Sequence, residues 1–353
     1  MATIFWAIVV LGALIFVHEM GHYLVARHLG IGVERFSLGF GKRLWGFRRE
    51  ETDYRISVIP LGGYVKLLGE NPSELVAAPE PEKLFFLRPV GQRLAVVVAG
   101  PLFNIGFAIL LLWVVYMVGV PVLSTTVGAT SPGSPAARAG IQPGDRIVAI
   151  EGRRISRWEE LAEIVHKSAG KELRITIARG AGELGLTVVP ESRTVKNILG
   201  EEKRVGLIGV RAKGEFLTRR YDPLTALWRG TVRSYQIVEL TVVSIYKIIN
   251  RTIPSDNIGG PLRIAQIAGQ SARAGLLNLA FFTAILSINL GILNLLPIPI
   301  LDGGHIAFFL VEAIFRRPVS VRNREMAQRV GFVLIVALML FAFYNDIVNI
   351  FLK

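Results

Sequence analysis

Two histidines and a glutamate stand together at the end of the first apolar segment, in the run His18-Glu19-Met20-Gly21-His22. Residues 2–17 before them contain no Lys, Arg, Asp or Glu. On a helix, side chains four positions apart lie above one another on one face. His18 and His22 can therefore present two imidazole nitrogens to one metal ion. Glu19 is then placed to take a proton from a water that the metal activates.

The surroundings of this motif decide between two interpretations. The same pattern occurs by chance on the charged face of a soluble helix. Here it continues an uncharged hydrophobic segment, where an unpaired ionisable side chain costs about 2.5–3.5 kcal/mol on insertion scales. Such groups are seldom kept at that depth without a partner, so the context favours a metal site.

The composition indicates a membrane protein. The 353 residues are 52% hydrophobic, and the mean hydropathy is +0.48. Because there is no cysteine, disulfides and thiolate metal ligands are excluded, and His, Asp or Glu must hold any metal. The net charge of +13 is explained by basic loops beside membrane helices. No basic–aromatic motif typical of nucleic-acid binding stands out, so the lipid bilayer is the expected partner.

Four apolar segments are long enough to be membrane spans, and they lie at residues 2–27, 94–123, 276–301 and 330–350. A cleaved signal peptide is the alternative for the first, but no basic residue precedes it and it leads directly into the metal motif. Asn104 is the one strongly polar side chain of the second. Such a residue forms helix–helix hydrogen bonds more often than it takes part in catalysis, although it could face the site.

Alternation of apolar and other residues predicts β-hairpin structure beside the membrane, at about residues 33–69. The alternating positions are Phe36, Leu38 and Phe40, then Tyr54, Ile56 and Val58. A Pro- and Glu-containing surface loop is predicted at residues 71–82.

Residues 124–215 read as a soluble α/β domain inserted between spans. The string A-x-x-A-G-I-x-P-G-D-x-I, from Ala136 to Ile147, resembles the PDZ domains of bacterial proteases. PDZ domains bind extended peptides at a sheet edge, often through a terminal carboxylate held by backbone N–H groups. The alternative is a spacer that only limits access.

An amphipathic helix is predicted at residues 224–250. Asp222-Pro223 is a good helix start, and apolar residues then recur at helical spacing. The charged residues that interrupt it are Arg229, Arg233, Glu239 and Lys247. We predict that this helix lies on the membrane surface, with a Gly-Gly-Pro linker after it.

A second polar cluster follows the third apolar segment. Pro297 and Pro299 must break regular helical hydrogen bonding, and Asp302 lies just past that break. A catalytic zinc site needs three protein ligands, so Asp302 is the candidate third ligand, although a turn at a helix end would also explain it. His305 is then predicted to lie beside the site or to be exposed.

The charge distribution predicts the membrane topology. Within the connection at 306–329, residues 316–329 contain five arginines against one acid, Glu325, and this excess places the connection in the cytoplasm. Four spans then put residues 28–93 inside and the domain at 124–215 outside. His18, His22 and Asp302 would all lie at cytoplasmic helix ends, at similar depth.

These motifs together resemble one family across essentially the whole chain. They are H-E-M-G-H, then F-S-L-G-F-G with P-L-G-G-Y-V-K, the PDZ-like domain, and N-L-G-I-L-N-L-L-P-I-P-I-L-D-G-G-H. The set is similar to the site-2 proteases, intramembrane zinc metalloproteases, and most to their bacterial regulator-of-sigma-E type. Enteric members carry two tandem PDZ domains, whereas this chain has room for one. We therefore do not expect a pair of PDZ domains to control substrate access in this protein.

The resemblance implies a polytopic α-helical membrane protein with four transmembrane helices, a membrane-associated β-hairpin and one inserted PDZ domain. The implied regions are an N-terminal membrane region at 1–123, the PDZ domain at 124–215, a surface helix with its linker at 216–262 and a C-terminal membrane region at 263–353. The implied location is a bacterial cytoplasmic membrane.

The resemblance also implies roles for single residues. Zn²⁺ would be bound by His18, His22 and Asp302, with Glu19 as the general base. A substrate groove would be shaped by Asn289, Asn294, Pro297 and Pro299, and the β segment would pair with substrate as a strand. Substrates would be single-span membrane proteins already shortened on the outside, such as anti-sigma factors, or remnant signal peptides.

Two other functions stay open at this stage. A membrane-anchored PDZ scaffold with a structural metal site is one, although such a site has no need of Glu19. A zinc transporter is the other, although transporters usually place ligands midway along several helices, not at two helix ends.

Overall fold

The computed structural model describes residues 2–70, 80–196, 202–250, 252 and 259–351. It divides into a membrane unit, residues 1–115 with 223–353, and an inserted unit, residues 116–222. Most of the loop predicted at 71–82 lies outside the described residues, and its end forms the short 3₁₀ helix Pro81–Lys83.

The helices have these bounds: α1 Ala2–His28, α2 Val90–Val118, α3 Pro135–Arg138, α4 Trp158–His166, α5 Pro223–Ile249, α6 Pro261–Arg273, α7 Leu276–Asn294, α8 Asp302–Phe315 and α9 Val321–Phe351. The strands are β1 Val33–Arg49, β2 Thr52–Leu67, β3 Val120–Leu123, β4 Val127–Thr130, β5 Arg146–Ile150, β6 Arg153–Arg154, β7 Leu173–Arg179, β8 Gly182–Val188, β9 Glu191–Lys196, β10 Glu202–Leu207, β11 Val210–Ala212 and β12 Phe216–Arg219.

Within the described ranges, four helices are long and apolar enough to cross a membrane, and they correspond to the four predicted spans. Two predicted boundaries are wrong. The second span does not reach residue 123, because Gly119 turns the chain at φ 137° and β3 follows. The third ends at Asn294, because the two prolines after it cannot donate backbone N–H bonds. The fourth lies within α9, a helix that begins earlier, at Val321, with a charged stretch before residue 330.

The predicted β segment forms as β1 and β2, and it is more folded than a simple hairpin. Residues 35–38 pair on one side with 63–66 and on the other with 53–56, while residues 43–49 pair with 52–57. The long strands therefore bend into four short ones. Gly39 permits the bend, because it has φ 89° and a Cβ there would overlap the Ile59 carbonyl.

One edge of this small sheet is open. Residues 63–67 pair only with β1, and no other strand of the described chain adjoins their outer side. The edge lies against α1, since a Cβ added at Gly63 would be 2.8 Å from Ile15 Cγ2 and 3.3 Å from Glu19 Cγ. An unpaired strand edge is thus held beside the H-E-x-x-H helix.

The amphipathic helix forms as α5 and runs alongside α7. Thr241 Oγ1 donates to Asn289 Oδ1 at 2.8 Å, and the Arg233 guanidinium lies 6.0 Å from the centre of the Phe281 ring. Because these two pairs have the same sequence separation on both helices, α5 and α7 are parallel over this stretch. The position of α5 relative to the bilayer stays a prediction.

The inserted unit contains the predicted α/β domain, but its bounds are wider than 124–215. β12 pairs with β3, and these strands extend the unit at both ends. Its main sheet has the order β6-β5-β7-β8 and covers α4. The fully buried centre of the core is formed by Ile147, Ile150, Leu161, Ile175 and Ile177.

A buried ion pair holds this core to a loop. The Asp145 carboxylate, 2% exposed, accepts from Arg179 Nε at 2.7 Å and Nη2 at 2.8 Å, and from the Gln142 backbone N–H at 2.7 Å. The hydrogen bonds from Arg179 hold the pKa of Asp145 below its ordinary value of 3.8. A lowered carboxyl pKa stabilises the fold above the ordinary pKa, and this stabilisation is lost as the pH falls below it.

We predict that Asp145→Asn lowers the stability of the inserted unit at pH 7 by about 1–3 kcal/mol, because Arg179 loses its charged acceptor. Hydrogen exchange of the β5 and β7 amides in the full chain, corrected for intrinsic rates, measures this. Protection in the wild type should weaken as the pH falls below about 4. The variant should lack that pH dependence, whereas Glu163→Gln, in an exposed pair, should behave as wild type. Equal protection in the Asp145 variant would contradict the prediction.

A second buried carboxylate joins the last helix to α6. Asp346, 1% exposed, accepts from the backbone N–H groups of Gly260 at 2.8 Å, Leu262 at 2.9 Å and Arg263 at 3.0 Å. These are unsatisfied donors of a helix N-terminus, where a negative charge is also favourable.

We predict that Asp346→Ala destabilises α6 by about 1–3 kcal/mol, because three backbone N–H donors, one of them buried, lose their acceptor. Amide exchange in α6 should accelerate. Asp346→Asn keeps one acceptor oxygen and should have the smaller effect. The prediction fails if the alanine variant protects α6 as well as the wild type does.

Candidate active site

The three predicted metal ligands converge. His18 and His22 lie on α1, and Asp302 is the first residue of α8. Asp302 Oδ2 is 3.0 Å from His18 Nε2 and 3.5 Å from His22 Nε2, and the two Nε2 atoms are 3.2 Å apart. One ligand atom from each residue lies within 4.8 Å of the others. This cluster is what the spacing of the histidines and the polar break after the third span predicted.

The packing of α1 explains why the histidines face inward. The buried residues of this helix recur every three or four positions, so they form one face. They are Ala7, Val10, Leu14, His18, Gly21 and Ala26. His22 is also mostly covered, with 12% of its side chain exposed.

Helix α2 orients His22 and approaches it very closely. His22 Nδ1 lies 2.8 Å from the Val96 carbonyl oxygen and donates its proton there, which leaves the Nε2 lone pair for the cluster. A Cβ at Gly100 would overlap His22 Nε2 and lie 2.9 Å from His18 Cε1. Glycine is therefore required at this point of contact.

Asp302 is positioned by the turn between α7 and α8. The backbone N–H of Leu301 donates to the Ile298 carbonyl at 2.8 Å, which closes the turn before the aspartate. A Cβ at Gly303 would overlap the Leu296 carbonyl, and one at Gly304 would overlap Pro299 Cα. The Asp-Gly-Gly run therefore lets the start of α8 pack directly on the turn.

The cluster fits a divalent cation. Asp302 Oδ2 is buried and accepts no well-aligned hydrogen bond from the described residues, although His18 Nε2 is 3.0 Å away. Two imidazole nitrogens and a carboxylate oxygen are the donor set that catalytic zinc sites use, with a further position left for water or substrate.

Glu19 and the open strand edge share a cavity with the cluster. The backbone amide of Val65 faces the Glu19 carboxylate. The cavity has a volume of about 410 Å³. It is lined by His18, Glu19, His22, Tyr64, Val65 and Asp302, together with His305, Phe308 and Arg324. The arrangement can hold a metal, a base and an extended chain at one place.

The four residues predicted to shape a substrate groove do not all lie at the cluster. Asn294 Nδ2 lies 3.3 Å from His18 Nε2, at the cluster itself. Asn289 instead accepts the hydrogen bond from Thr241 of α5. Pro297 and Pro299 lie in the turn that precedes Asp302.

Comparison with known proteins agrees with this geometry. The model of peptidase family M50 matches residues 6–338. The chain belongs to peptidase family M50. A zinc metalloprotease of Brucella suis is 38% identical over 98% of this chain and 95% of the relative. The protease RseP of Yersinia pestis is 34% identical over 98% and 99%, and the regulator of sigma-E protease RseP of Escherichia coli is 33% identical over 96% and 97%.

The family match, these relatives and the four apolar helices together establish that this chain is a zinc-dependent metalloprotease embedded in a membrane. The alignment to the Yersinia protein runs over 452 positions, more than the 353 residues of this chain. That relative therefore contains sequence with no counterpart in this chain.

Sequence reasoning left the role of Asn104 open, and it did not identify Val96 or Gly100 of α2 as neighbours of the candidate site. Val96, Gly100 and Asn104 are spaced by four and lie on one face of α2, and all three adjoin the histidines. The signal was present, because Asn104 is the only strongly polar residue of that span and Gly100 stands one turn before it.

We predict that Gly100→Ala lowers zinc affinity at least about tenfold, because the added methyl occupies the space of the His22 ring. Zinc content of the purified protein, measured by elemental analysis with a competing chelator, checks this. Gly106→Ala is the matched control on the same helix, since nothing lies within 4 Å of a Cβ there. Wild-type zinc affinity in Gly100→Ala would contradict the proposed site.

Proposed function

We propose that this M50 protein is an intramembrane zinc metalloprotease that hydrolyses peptide bonds within the transmembrane segments of single-span proteins. The observation that carries the proposal is one cavity that contains a three-ligand cluster, a neighbouring glutamate and an open strand edge. His18 and His22 lie within the apolar helix α1 and Asp302 begins α8, in a unit with four candidate membrane spans, where a soluble substrate is not the natural partner.

In this proposal His18, His22 and Asp302 hold the zinc, and Glu19 is the general base. Zinc in such a site lowers the pKa of water and polarises the carbonyl group that is attacked. Glu19 accepts the proton of the attacking water and passes it to the leaving amine. Its side chain lies beside the cluster in the same cavity, as that role requires.

The strand edge at 63–67 is proposed to bind the substrate in extended form. A helical substrate keeps its carbonyls in internal hydrogen bonds, so it must unwind and find new partners within the membrane. An open edge supplies them by adding the substrate as a further strand. Substrate segments with Gly, Pro or polar residues should therefore be cut more readily.

The four groove residues are proposed to guide that strand. Asn294 carries an amide N–H group next to the cluster, where it can donate to a substrate carbonyl. Asn289 acts through its bond to Thr241, which fixes α5 against α7 on that side. Pro297 and Pro299 keep the turn before Asp302 from continuing the helix.

The inserted unit is proposed to be a single PDZ domain. Its α4 and the segment before β11 enclose a small cavity of about 80 Å³. Among its lining residues are Trp158, Leu161, Val165, Leu207 and Val210. A helix facing a short strand and its preceding loop is where a PDZ domain binds a peptide terminus.

The proposed location is a bacterial cytoplasmic membrane, with the active site toward the cytoplasm and the inserted unit outside. The arginines at 316–329 support this orientation. The proposed substrates are single-span proteins already trimmed outside, such as anti-sigma factors, or remnant signal peptides. Support comes from the similarity to the Escherichia coli regulator of sigma-E protease RseP.

We predict that Glu19→Gln cuts a tagged single-span substrate at least about 100-fold more slowly than wild type, because the proton acceptor is lost. The variant should still bind zinc. The assay compares purified wild type, Glu19→Gln and the exposed control Glu82→Gln, which should cut as wild type. Equal cutting by Glu19→Gln would remove it from the mechanism. No cutting by any of the three, with zinc bound, would favour a membrane-anchored PDZ scaffold with a structural metal site.

A further inference from the structure

A fully buried amide lies against the first metal-site histidine. Asn104 of α2 is 0% exposed, and its Nδ2 lies 3.3 Å from His18 Nδ1. Its backbone carbonyl accepts from Ser287 Oγ at 2.7 Å, which ties this part of α2 to α7. The other end of the amide, Oδ1, is buried and has no hydrogen-bond partner among the described residues.

The geometry of His18 determines which of its nitrogens must carry a proton. Its Nε2 faces the cluster, 3.0 Å from Asp302 Oδ2 and 3.2 Å from His22 Nε2. A neutral imidazole offers a lone pair on only one nitrogen. For Nε2 to bind a metal, the proton must be on Nδ1, and a buried Nδ1–H needs an acceptor.

Helix α2 supplies such an acceptor to His22, which lies one helical turn from His18. There Nδ1–H donates to the Val96 carbonyl. The two histidines are four residues apart, and Val96 and Asn104 stand one turn to either side of Gly100, which contacts both rings. The same face of α2 thus carries a polar group opposite each ring, the Val96 carbonyl at His22 and the Asn104 amide at His18, with a glycine between them.

We infer that Asn104 is a positioning residue for the metal site: its Oδ1 accepts from His18 Nδ1–H and holds Nε2 toward the cluster. A half turn of the amide about its Cβ–Cγ bond exchanges the positions of Nδ2 and Oδ1. This rotation breaks no hydrogen bond of Oδ1 to the described residues, because Oδ1 has none. Asn294 is the weaker candidate for this role, because its Nδ2 is 3.5 Å from Nδ1 and nearer to Nε2, at 3.3 Å.

This inference rests on the proposed site of His18, His22 and Asp302. Without an acceptor, His18 either leaves Nδ1–H buried and unpaired or moves the proton to Nε2, where it blocks metal binding. Loss of such an orienting partner typically lowers metal affinity about 10–100-fold. The effect is on binding, so it does not need a substrate to be observed.

The test is zinc affinity of the full chain in detergent, measured by chelator competition, with thermal stability of the zinc-free protein alongside. Asn104→Leu has a similar size but no acceptor, and it should bind zinc about 10–100-fold more weakly. Asn104→Asp keeps an acceptor oxygen and should bind within about threefold of wild type or more tightly. Ser287→Ala removes the nearby helix contact but not the amide, and it should bind as wild type.

A role in helix packing alone gives the opposite order. Leucine would then be tolerated, and the buried charge of Asn104→Asp would lower both stability and zinc binding. The inference is overturned if Asn104→Leu binds zinc as wild type, or if Asn104→Asp binds as weakly as Asn104→Leu. Should the leucine variant not fold, Asn104→Ala replaces it in the same comparison.

The variant His18→Ala tests the proposed metal site independently of the role of Asn104. Wild-type zinc affinity in His18→Ala would overturn the proposed site itself. Loss of zinc in His18→Ala with wild-type affinity in Asn104→Leu would overturn only the role of Asn104.

Discussion

The proposed zinc site of the membrane unit brings three candidate ligand atoms closer together than they would stay without a cation. His18 Nε2, His22 Nε2 and Asp302 Oδ2 lie within 4.8 Å of one another, and the three side chains are mostly buried. Such a group is costly unless a cation joins it. Close backbone packing supplies the constraint: Gly21 contacts Ala99 across α1 and α2, and Gly303 packs on the turn before α8.

The same packing also places an unpaired strand edge beside Glu19. In water such an edge would be a liability, because it exposes unpaired N–H and C=O groups. Within a membrane the need is reversed, since an unwound substrate has no water to satisfy its backbone. The proposed reaction therefore needs a base and a backbone partner at the same place, and we propose that the open edge of β2 is the backbone partner.

Much of the fold and of the candidate site could be predicted, because the sequence patterns that indicate them are local. The spacing of His18 and His22, the apolar lengths of four spans and the alternation in the β segment each depend on neighbouring residues. Helix ends were harder, because Gly119 and the two prolines end helices through turn geometry that hydropathy does not report. Asn104 was harder still: one polar residue in a span is compatible with helix packing or with a site, and only the position of α2 against α1 distinguishes them.

The central claim is that one zinc ion is shared by α1 and α8. X-ray absorption at the zinc edge, on the full chain loaded with one equivalent of zinc, tests it most directly. We predict a first shell with two imidazole nitrogens and carboxylate oxygen, and the loss of one imidazole in His22→Ala. A shell without imidazole, or an unchanged shell in that variant, would contradict the account.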